Sequence, residues 1–327
     1  MTKHYTENPE AYQLYLKGRY YWNKRTQEAI EIGIRYFQQA IEKDPSYALA
    51  YAGLADCYVI PAGPLPPNEK MPKAKAAAQK ALEIDDSLAE AHTSLGRVLA
   101  TYDWDWPGAK KEFQRAIELN PRYSVAHQWY GGYWQAIGRF DESQTEKKRA
   151  QELDPLSSSI NFDVGLTFYY TRQYDQAIGQ LRKMMEMDPS FPPPQNILAA
   201  AYEQKGMYDE AIAGFQQAIT LSTGFNRSIS MAGLGHVYAV YGKKSAARKV
   251  LSELKQLSTQ EYVPAWDFAL IYAGLGENDQ AFAWLDKAYD ERSFNMTWLN
   301  NEPRWDSLRS DARYLDLVHR IGFRRDS

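Results

Sequence analysis

The sequence predicts an all-α, right-handed solenoid of about eight helix pairs closed by a C-terminal helical cap, and three observations carry that expectation. Pro121, Pro155 and Pro189 are spaced by 34 residues, and each follows an Asn or Asp at the end of an amphipathic run. A column of mostly small residues runs through Ala40, Ala81, Ala116, Ala150, Met184, Ala218, Leu254 and Ala288, with steps of 41, 35, 34, 34, 34, 36 and 34. Further columns keep the same register, and a fixed period of this length is the signature of a stacked-repeat architecture.

The first helix of each unit is marked by Gly18, Ala55, Gly96, Gly131, Gly165, Ala199, Gly235 and Ala269. Three residues later stand Tyr21, Tyr58, Leu99, Trp134, Phe168, Tyr202, Tyr238 and Tyr272. A small residue lets two helices approach while the bulky one fills the neighbouring gap. The second helix is marked by Gly33, Ala74, Ala109, Ser143, Ala177, Ala211, Ala247 and Ala281. Four residues on come Phe37, Ala78, Phe113, Lys147, Leu181, Phe215, Leu251 and Leu285. Between the two helices lie Gly-to-Asp turn signals such as Gly138-Arg139-Phe140-Asp141 and Gly206-Met207-Tyr208-Asp209, Gly ending one helix and Asp opening the next.

Two units depart from the pattern. Pro61 to Pro67, followed by Asn68 to Pro72, predicts a loop between the helices of the second unit, because proline breaks a helix interior. In the third, Asp103-Trp104-Asp105-Trp106-Pro107-Gly108 replaces the Gly turn. Trp106 falls in the column of Phe140, Tyr174 and Tyr208 and is expected to pack the turn, whereas Trp104 has no counterpart and is expected at the surface. The chain divides into an N-terminal lead-in (1–10), the repeats (11–293, with the insertion near 61–72) and the C-terminal cap (294–327).

Apolar residues make up 44% and charged residues 24% of the 327 positions, and 38 Lys plus Arg stand against 41 Asp plus Glu. That balance excludes a disordered chain and a surface built throughout for nucleic acid. The opening Met1 to Pro9 lacks an apolar core, and no run of 18 apolar residues occurs, so neither a signal peptide nor a membrane span is expected. With one cysteine, Cys57, a disulfide framework is excluded and a cytoplasmic location is expected. The excess is aromatic, with 24 Tyr, 12 Phe and 9 Trp, more than solubility requires.

Leu-Gly or Leu-Ala, an aromatic three residues on, Ala-x-x-x-Phe and a closing Pro together resemble the tetratricopeptide repeat over residues 11–293. Asp86, Thr223, Thr259 and Ser293 replace the closing Pro, and Tyr51, His92, His127 and Asn161 stand where the family carries Trp. The opening Asn8 to Trp22 and the ending Glu302 to Leu315 resemble the entry and exit of the repeat region of bacterial multidomain signalling proteins. In those a winged-helix domain, a serine/threonine kinase or an adenylate cyclase precedes the repeats. The resemblance implies a non-catalytic interaction module or scaffold, the sensory or interaction region of a larger protein.

In such solenoids the first helices line a concave face. In the present register that face is expected to expose Tyr12, Tyr15, Arg19, Trp22, Asp56, Arg97, Gln128, Gln135, Phe162, Tyr169, Tyr170, Asn196, Glu203, His236 and Trp266. Tyr and Trp offer large contact area at small entropic cost, so the partner is expected to be a protein: an extended peptide or a helix. The basic and Asn clamp by which some family members hold a C-terminal carboxylate is not reproduced at Asp56, Thr93, Arg97, Gln128 and Gly132. The alternative is RNA or single-stranded nucleic acid on the aromatic and basic Tyr20-Tyr21-Trp22-Asn23-Lys24-Arg25 of the N-terminal helix, which the helix-terminal setting of the two cations disfavours.

Catalytic signatures are missing from the sequence: no phosphate loop, no nucleophile elbow, no His-Glu-x-x-His. His92 and His127 share a column in adjacent units but have no Cys or carboxylate fixed beside them, so no metal and no cofactor is expected. Cys57 lies on a packed first helix and reads as a small buried residue. Lys147, in an apolar column, is expected to reach solvent by its stem or to meet an acid. Tyr202 is expected to pack and Tyr169 to face the partner.

Overall fold

The computed structural model describes residues 6–61, 65–189, 191 and 194–323, and the regular structure among them is helical, without strands. The helices follow in chain order, two to each repeat. They are α1 (Pro9–Asn23) with α2 (Gln27–Lys43), α3 (Ala48–Val59) with α4 (Pro67–Ile84), α5 (Ala89–Val98) with α6 (Trp106–Leu119), and α7 (Ser124–Ala136) with α8 (Phe140–Leu153). Then come α9 (Ser158–Tyr170) with α10 (Tyr174–Met187), α11 (Pro194–Gln204) with α12 (Tyr208–Leu221), α13 (Gly224–Val240) with α14 (Lys244–Leu257), and α15 (Ala265–Leu275) with α16 (Asn278–Asp290). Two 3-10 segments, Phe294–Trp298 and Pro303–Leu308, lead to α17 (Ala312–Arg320). The helices form two compact units, one up to Tyr133 and one from Trp134, the boundary falling inside α7.

The sequence columns become the packing. Ala40, Ala81, Ala116, Ala150 and Ala288 are fully buried, and so are Ala177 and Ala211 in the second column. Phe37 of α2 is the bulky group that the small residues admit. A Cβ added at Gly18 of α1 would meet its ring at 2.7 Å and one added at Gly53 of α3 at 2.4 Å. One ring thus fills the space between two successive first helices, and any side chain in place of either glycine would have to displace it.

Helix ends follow local chemistry. The Asn8 side chain accepts from the backbone N–H of Glu10 and Ala11, and that of Thr26 from Ala29, satisfying donors left over at a helix start. Except for α3, which ends on the extended Ile60, the first helices are followed by a left-handed residue: Arg25, Trp104, Gly138, Arg172, Gly206, Gly242 and Gly276 all have positive φ. Glycine adopts this conformation freely, while Arg25, Trp104 and Arg172 adopt it at some cost.

Three expectations are corrected here. The insertion of the second unit is shorter than predicted, since α4 begins at Pro67 and runs through Pro72. The hydrogen bond lost at Pro72 belongs to the carbonyl of Asn68, an exposed residue in the first turn, where water replaces the missing donor. Residues 62–64 lie outside the described residues, as do 1–5 of the lead-in and 324–327 of the cap. In the third unit a π-turn over Leu99–Asp103 adds one residue to the first helix. That residue moves the left-handed position onto Trp104 and turns its ring inward, leaving it 7% exposed rather than at the surface. Trp106 packs the turn as expected, 6.1 Å from Tyr133. Lys147 does not reach solvent. It is buried, and its ammonium donates to Gln135 Oε1 at 2.5 Å, Thr167 Oγ1 at 2.7 Å and the Asp163 carbonyl at 3.3 Å.

Candidate protein-interaction site

In the unit up to Tyr133, the inner residues of the first helices converge on one carboxylate. Asp56 of α3 is fully buried and receives Arg19 Nη1 of α1 at 2.6 Å and Ser94 Oγ of α5 at 2.6 Å. Burial pushes the Asp56 carboxyl up, opposed by Arg19 and by the Ser94 hydroxyl. For Arg19 burial works against the charge, but Tyr123, Asp56 and Tyr15 outweigh it and hold the guanidinium protonated. Trp22 donates its indole N–H to the Asp56 carbonyl at 3.1 Å. The guanidinium groups of Arg19 and Arg25 lie 4.0 and 3.6 Å from the Trp22 ring centre, within cation–π range. Trp129 of α7 closes on Trp22 edge-on at 6.4 Å, with Arg97 5.6 Å from the Trp129 ring.

Around this core Tyr15, Glu90, Arg97 and Tyr123 are only partly buried. Burial pushes the Tyr15 phenol up to about 12 against the pull of Arg19, and it moves Tyr123 well above the ordinary range in the same way. The hydroxyl of Tyr123 is buried without a hydrogen-bond partner among the described residues. An orphaned donor beside a guanidinium and a carboxylate is a place where a ligand's polar group gains more than it does in water.

The unit from Trp134 on has its inner face covered by its own chain. Gln135, Tyr169 and Glu203 stand 34 residues apart on α7, α9 and α11, and the segment between α16 and α17 lies on them. Tyr169 donates its hydroxyl to Glu302 Oε1 at 2.6 Å, and Asn301 Nδ2 donates to the Gln135 carbonyl at 2.7 Å. Tyr170 stacks on Trp298 with ring centres 5.9 Å apart, and Trp266 of α15 meets Trp305 edge-on at 4.9 Å. Arg304 pairs with Glu302 at 2.8 Å, both nearly buried. Burial pushes the Glu302 carboxyl up, but the Arg304 guanidinium outweighs it and holds the group below its usual value. Nearby, His236 Nδ1 meets Glu203 Oε1 at 2.5 Å and Ser230 Oγ donates to Asn196 Oδ1 at 2.5 Å.

The expected exposure of the fifteen inner-face residues is therefore corrected for most of them. Trp22, Asp56, Gln128, Gln135, Tyr169, Tyr170, Asn196, Glu203, His236 and Trp266 are buried, Trp22 and Asp56 in the convergence described above and Gln135, Tyr169, Tyr170 and Trp266 against the C-terminal segment. Tyr169 is less exposed than Tyr202, the residue expected to pack, at 0% against 8%. Tyr12 is exposed, while Tyr15, Arg19, Arg97 and Phe162 are half-buried. The Glu302 contacts had no signal in the repeat register, because they join residues 133 positions apart.

The remaining sequence candidates are engaged internally. His92 Nδ1 meets Glu112 Oε2 at 2.6 Å and its Nε2 the Asp86 carbonyl at 3.0 Å; His127 Nε2 meets the Pro121 carbonyl at 3.0 Å. Cys57 is 1% exposed, and burial pushes its thiol up. In the aromatic and basic run, Tyr21 stacks on Tyr36 at 5.6 Å, and Trp22 and Arg25 are buried against each other. Among the described residues no helix is long and apolar enough to cross a membrane.

Residues 162–224 match the family model of the tetratricopeptide repeat. The transcriptional regulator HilA of Salmonella typhimurium is 25% identical over 165 residues, which are 50% of this chain and 30% of HilA. The chain thus spans less than a third of the curated relative that it matches. Two solved structures share the fold. The anaphase-promoting-complex hetero-tetramer Cut9-Hcn1 superposes with a TM-score of 0.62 at 17% identity, covering 95% of this chain and 54% of that one. Yeast Tom70 superposes with a TM-score of 0.53 at 16% identity, covering 98% and 69%.

Proposed function

We propose, from the premise that this is a tetratricopeptide-repeat solenoid, a protein-interaction architecture, that the chain is a non-catalytic scaffold which reads a peptide or partner helix on the inner face of the unit up to Tyr133. The carrying observation is the partly open cluster around Asp56. There Tyr15, Arg19, Arg97 and Tyr123 present a fixed guanidinium, phenols and an unpartnered hydroxyl at the edge of a buried network. A site held by its own hydrogen bonds binds without first being ordered. In the other unit the inner face is already committed to Trp298, Asn301, Glu302 and Trp305.

The likeness to part of HilA supports a place in a bacterial, cytoplasmic signalling or regulatory protein, in which this region would receive the regulating partner.

Photo-crosslinking tests the reading. A benzophenone amino acid at Tyr15 or Arg97 should yield a specific protein adduct in the native host. The same probe at Lys249, exposed on α14, should not. Tyr123→Phe should weaken the adduct at Tyr15 while leaving helical content unchanged. Equal adducts at all three positions would sink the assignment.

A further inference from the structure

Glu90 stands in the first turn of α5 and is half-buried. One helical turn on, Ser94 donates its hydroxyl to Asp56 Oδ1 at 2.6 Å and to the Glu90 carbonyl at 3.0 Å, which turns the face of α5 carrying residues 90 and 94 toward the Asp56 network. Two phenols are placed around Glu90 by the packing of its neighbours. Tyr15 of α1 packs against the buried cluster that contains Leu88 and Ala91, and Tyr123, just before α7, packs against the one that contains Ala89. Burial first, and then the charge of Glu90 among others, pushes both phenols up. Among the described residues no ion pair reaches the Glu90 carboxylate. Burial pushes this carboxyl up and its own backbone N–H draws it down; Asp56 and Asp85 push it further up, and Arg19, already paired with Asp56 at 2.6 Å, draws it down. A half-buried carboxylate whose neighbouring guanidinium is already paired gains when a ligand supplies a cation.

We propose that Tyr15, Glu90 and Tyr123 receive an arginine side chain of the bound peptide, its guanidinium donating to the Glu90 carboxylate and to the Tyr123 hydroxyl oxygen with the Tyr15 ring alongside. This receptor presupposes the inner-face reading above and adds which side chain of the peptide is read. Tyr123 offers the second acceptor, since its hydroxyl is buried without a hydrogen-bond partner among the described residues and its oxygen can accept an N–H where it does not reach water. A guanidinium carries its donors in a planar fork that meets a carboxylate and a phenol oxygen together, and aromatic rings beside it add cation–π attraction. An ammonium meets the same groups only as a point charge. An anionic side chain is disfavoured here, because Glu90, Asp56 and Asp85 repel it and Arg19 is held by Asp56. Arg97 stands about two helical turns farther along α5, 5.6 Å from the Trp129 ring centre.

The probes are fluorescein-labelled peptide pools with a fixed central residue flanked by mixed uncharged residues, the central residue being arginine, citrulline, lysine or glutamate. Citrulline keeps the shape of arginine and removes its charge. Fluorescence anisotropy on the full chain should show the arginine pool binding saturably and roughly tenfold tighter than the citrulline pool, with lysine between them and glutamate weakest. Glu90→Gln, which keeps the shape of the side chain, should remove the preference for arginine over citrulline. Tyr123→Phe should weaken the arginine pool several-fold and spare the citrulline pool. Circular dichroism and the urea midpoint of both variants should stay near those of the parent. A role in folding alone would move stability and leave the preference in place, and the comparison of pools on the parent chain needs no variant. The proposal is overturned if citrulline or lysine binds as well as arginine, if glutamate binds best, or if Glu90→Gln retains the preference. Failure of every pool to bind overturns it too. A Tyr15 crosslink that still forms would then leave the inner-face reading standing, whereas loss of the crosslink as well would remove both.

Discussion

At the scale of single residues, Lys147 tests how a charge is kept in an apolar column. Its ammonium, Gln135 Oε1 and Thr167 Oγ1 satisfy one another, so removing one partner costs more than the set contributes. Lys147→Met is expected to destabilise by about 1 to 3 kcal/mol, and adding Gln135→Leu to recover part of the loss, as a double-mutant cycle in urea would show. Asp267 gives the pH dependence. It is fully buried, neither carboxyl oxygen meets a partner of full hydrogen-bond geometry, and burial pushes it up to about 7 against the opposing Ser228 hydroxyl. The folded value lies above the ordinary 3.8, so between about 4 and 7 the folded state keeps a proton that the unfolded state has lost. Stability is therefore highest at the acid end of that window and falls by on the order of 1 kcal/mol per pH unit until the folded group ionises near 7. Asp267→Asn should flatten this slope and raise the melting temperature at about pH 8 relative to the parent; an unchanged slope would refute the assignment.

At the scale of helices, the register was legible because each unit needs the same contacts with its neighbours. Ala177 and Ala211 lie where the sequence columns put them, buried completely. Ala177→Leu should cost about 1 to 3 kcal/mol through overpacking, measured as a shift in the urea midpoint without a change of slope. What the register left unread were places where one residue alters the geometry or distant residues meet. The π-turn before Trp104 inserts a residue without a proline or glycine to announce it, and Pro72 is tolerated because the orphaned Asn68 carbonyl faces water. Exposure failed for a different reason. The repeat pattern identifies the inner face of a first helix but carries no information on what covers it, so Tyr169 and Trp266 read as accessible although Glu302 and Trp305 sit upon them.

At the scale of the molecule, the segment from Phe294 to Leu308 decides what the second unit can do. It buries Met296, Leu299 and Trp305 completely and Leu308 almost so, more like a core element than a removable ligand. Fully burying such side chains contributes roughly 1.5 to 3 kcal/mol each, beyond what a loosely held peptide would supply. Ending the chain at Ser293 should therefore lower the melting temperature of this unit and raise dye binding by exposed apolar surface, with Tyr169, Tyr170 and Trp266 newly reached by solvent. A regulatory plug behaves differently: its removal would leave the melting temperature in place and open a site for peptides. Adding residues 294–323 back as a separate peptide makes the contrast decisive. A core element should be recovered only in part, because the entropy of joining two chains must now be met, whereas a ligand segment should rebind saturably to an intact fold. Calorimetry of the shortened chain with and without the peptide distinguishes the two, and an unchanged melting temperature on truncation would return the inner face of this unit to the set of candidate binding surfaces.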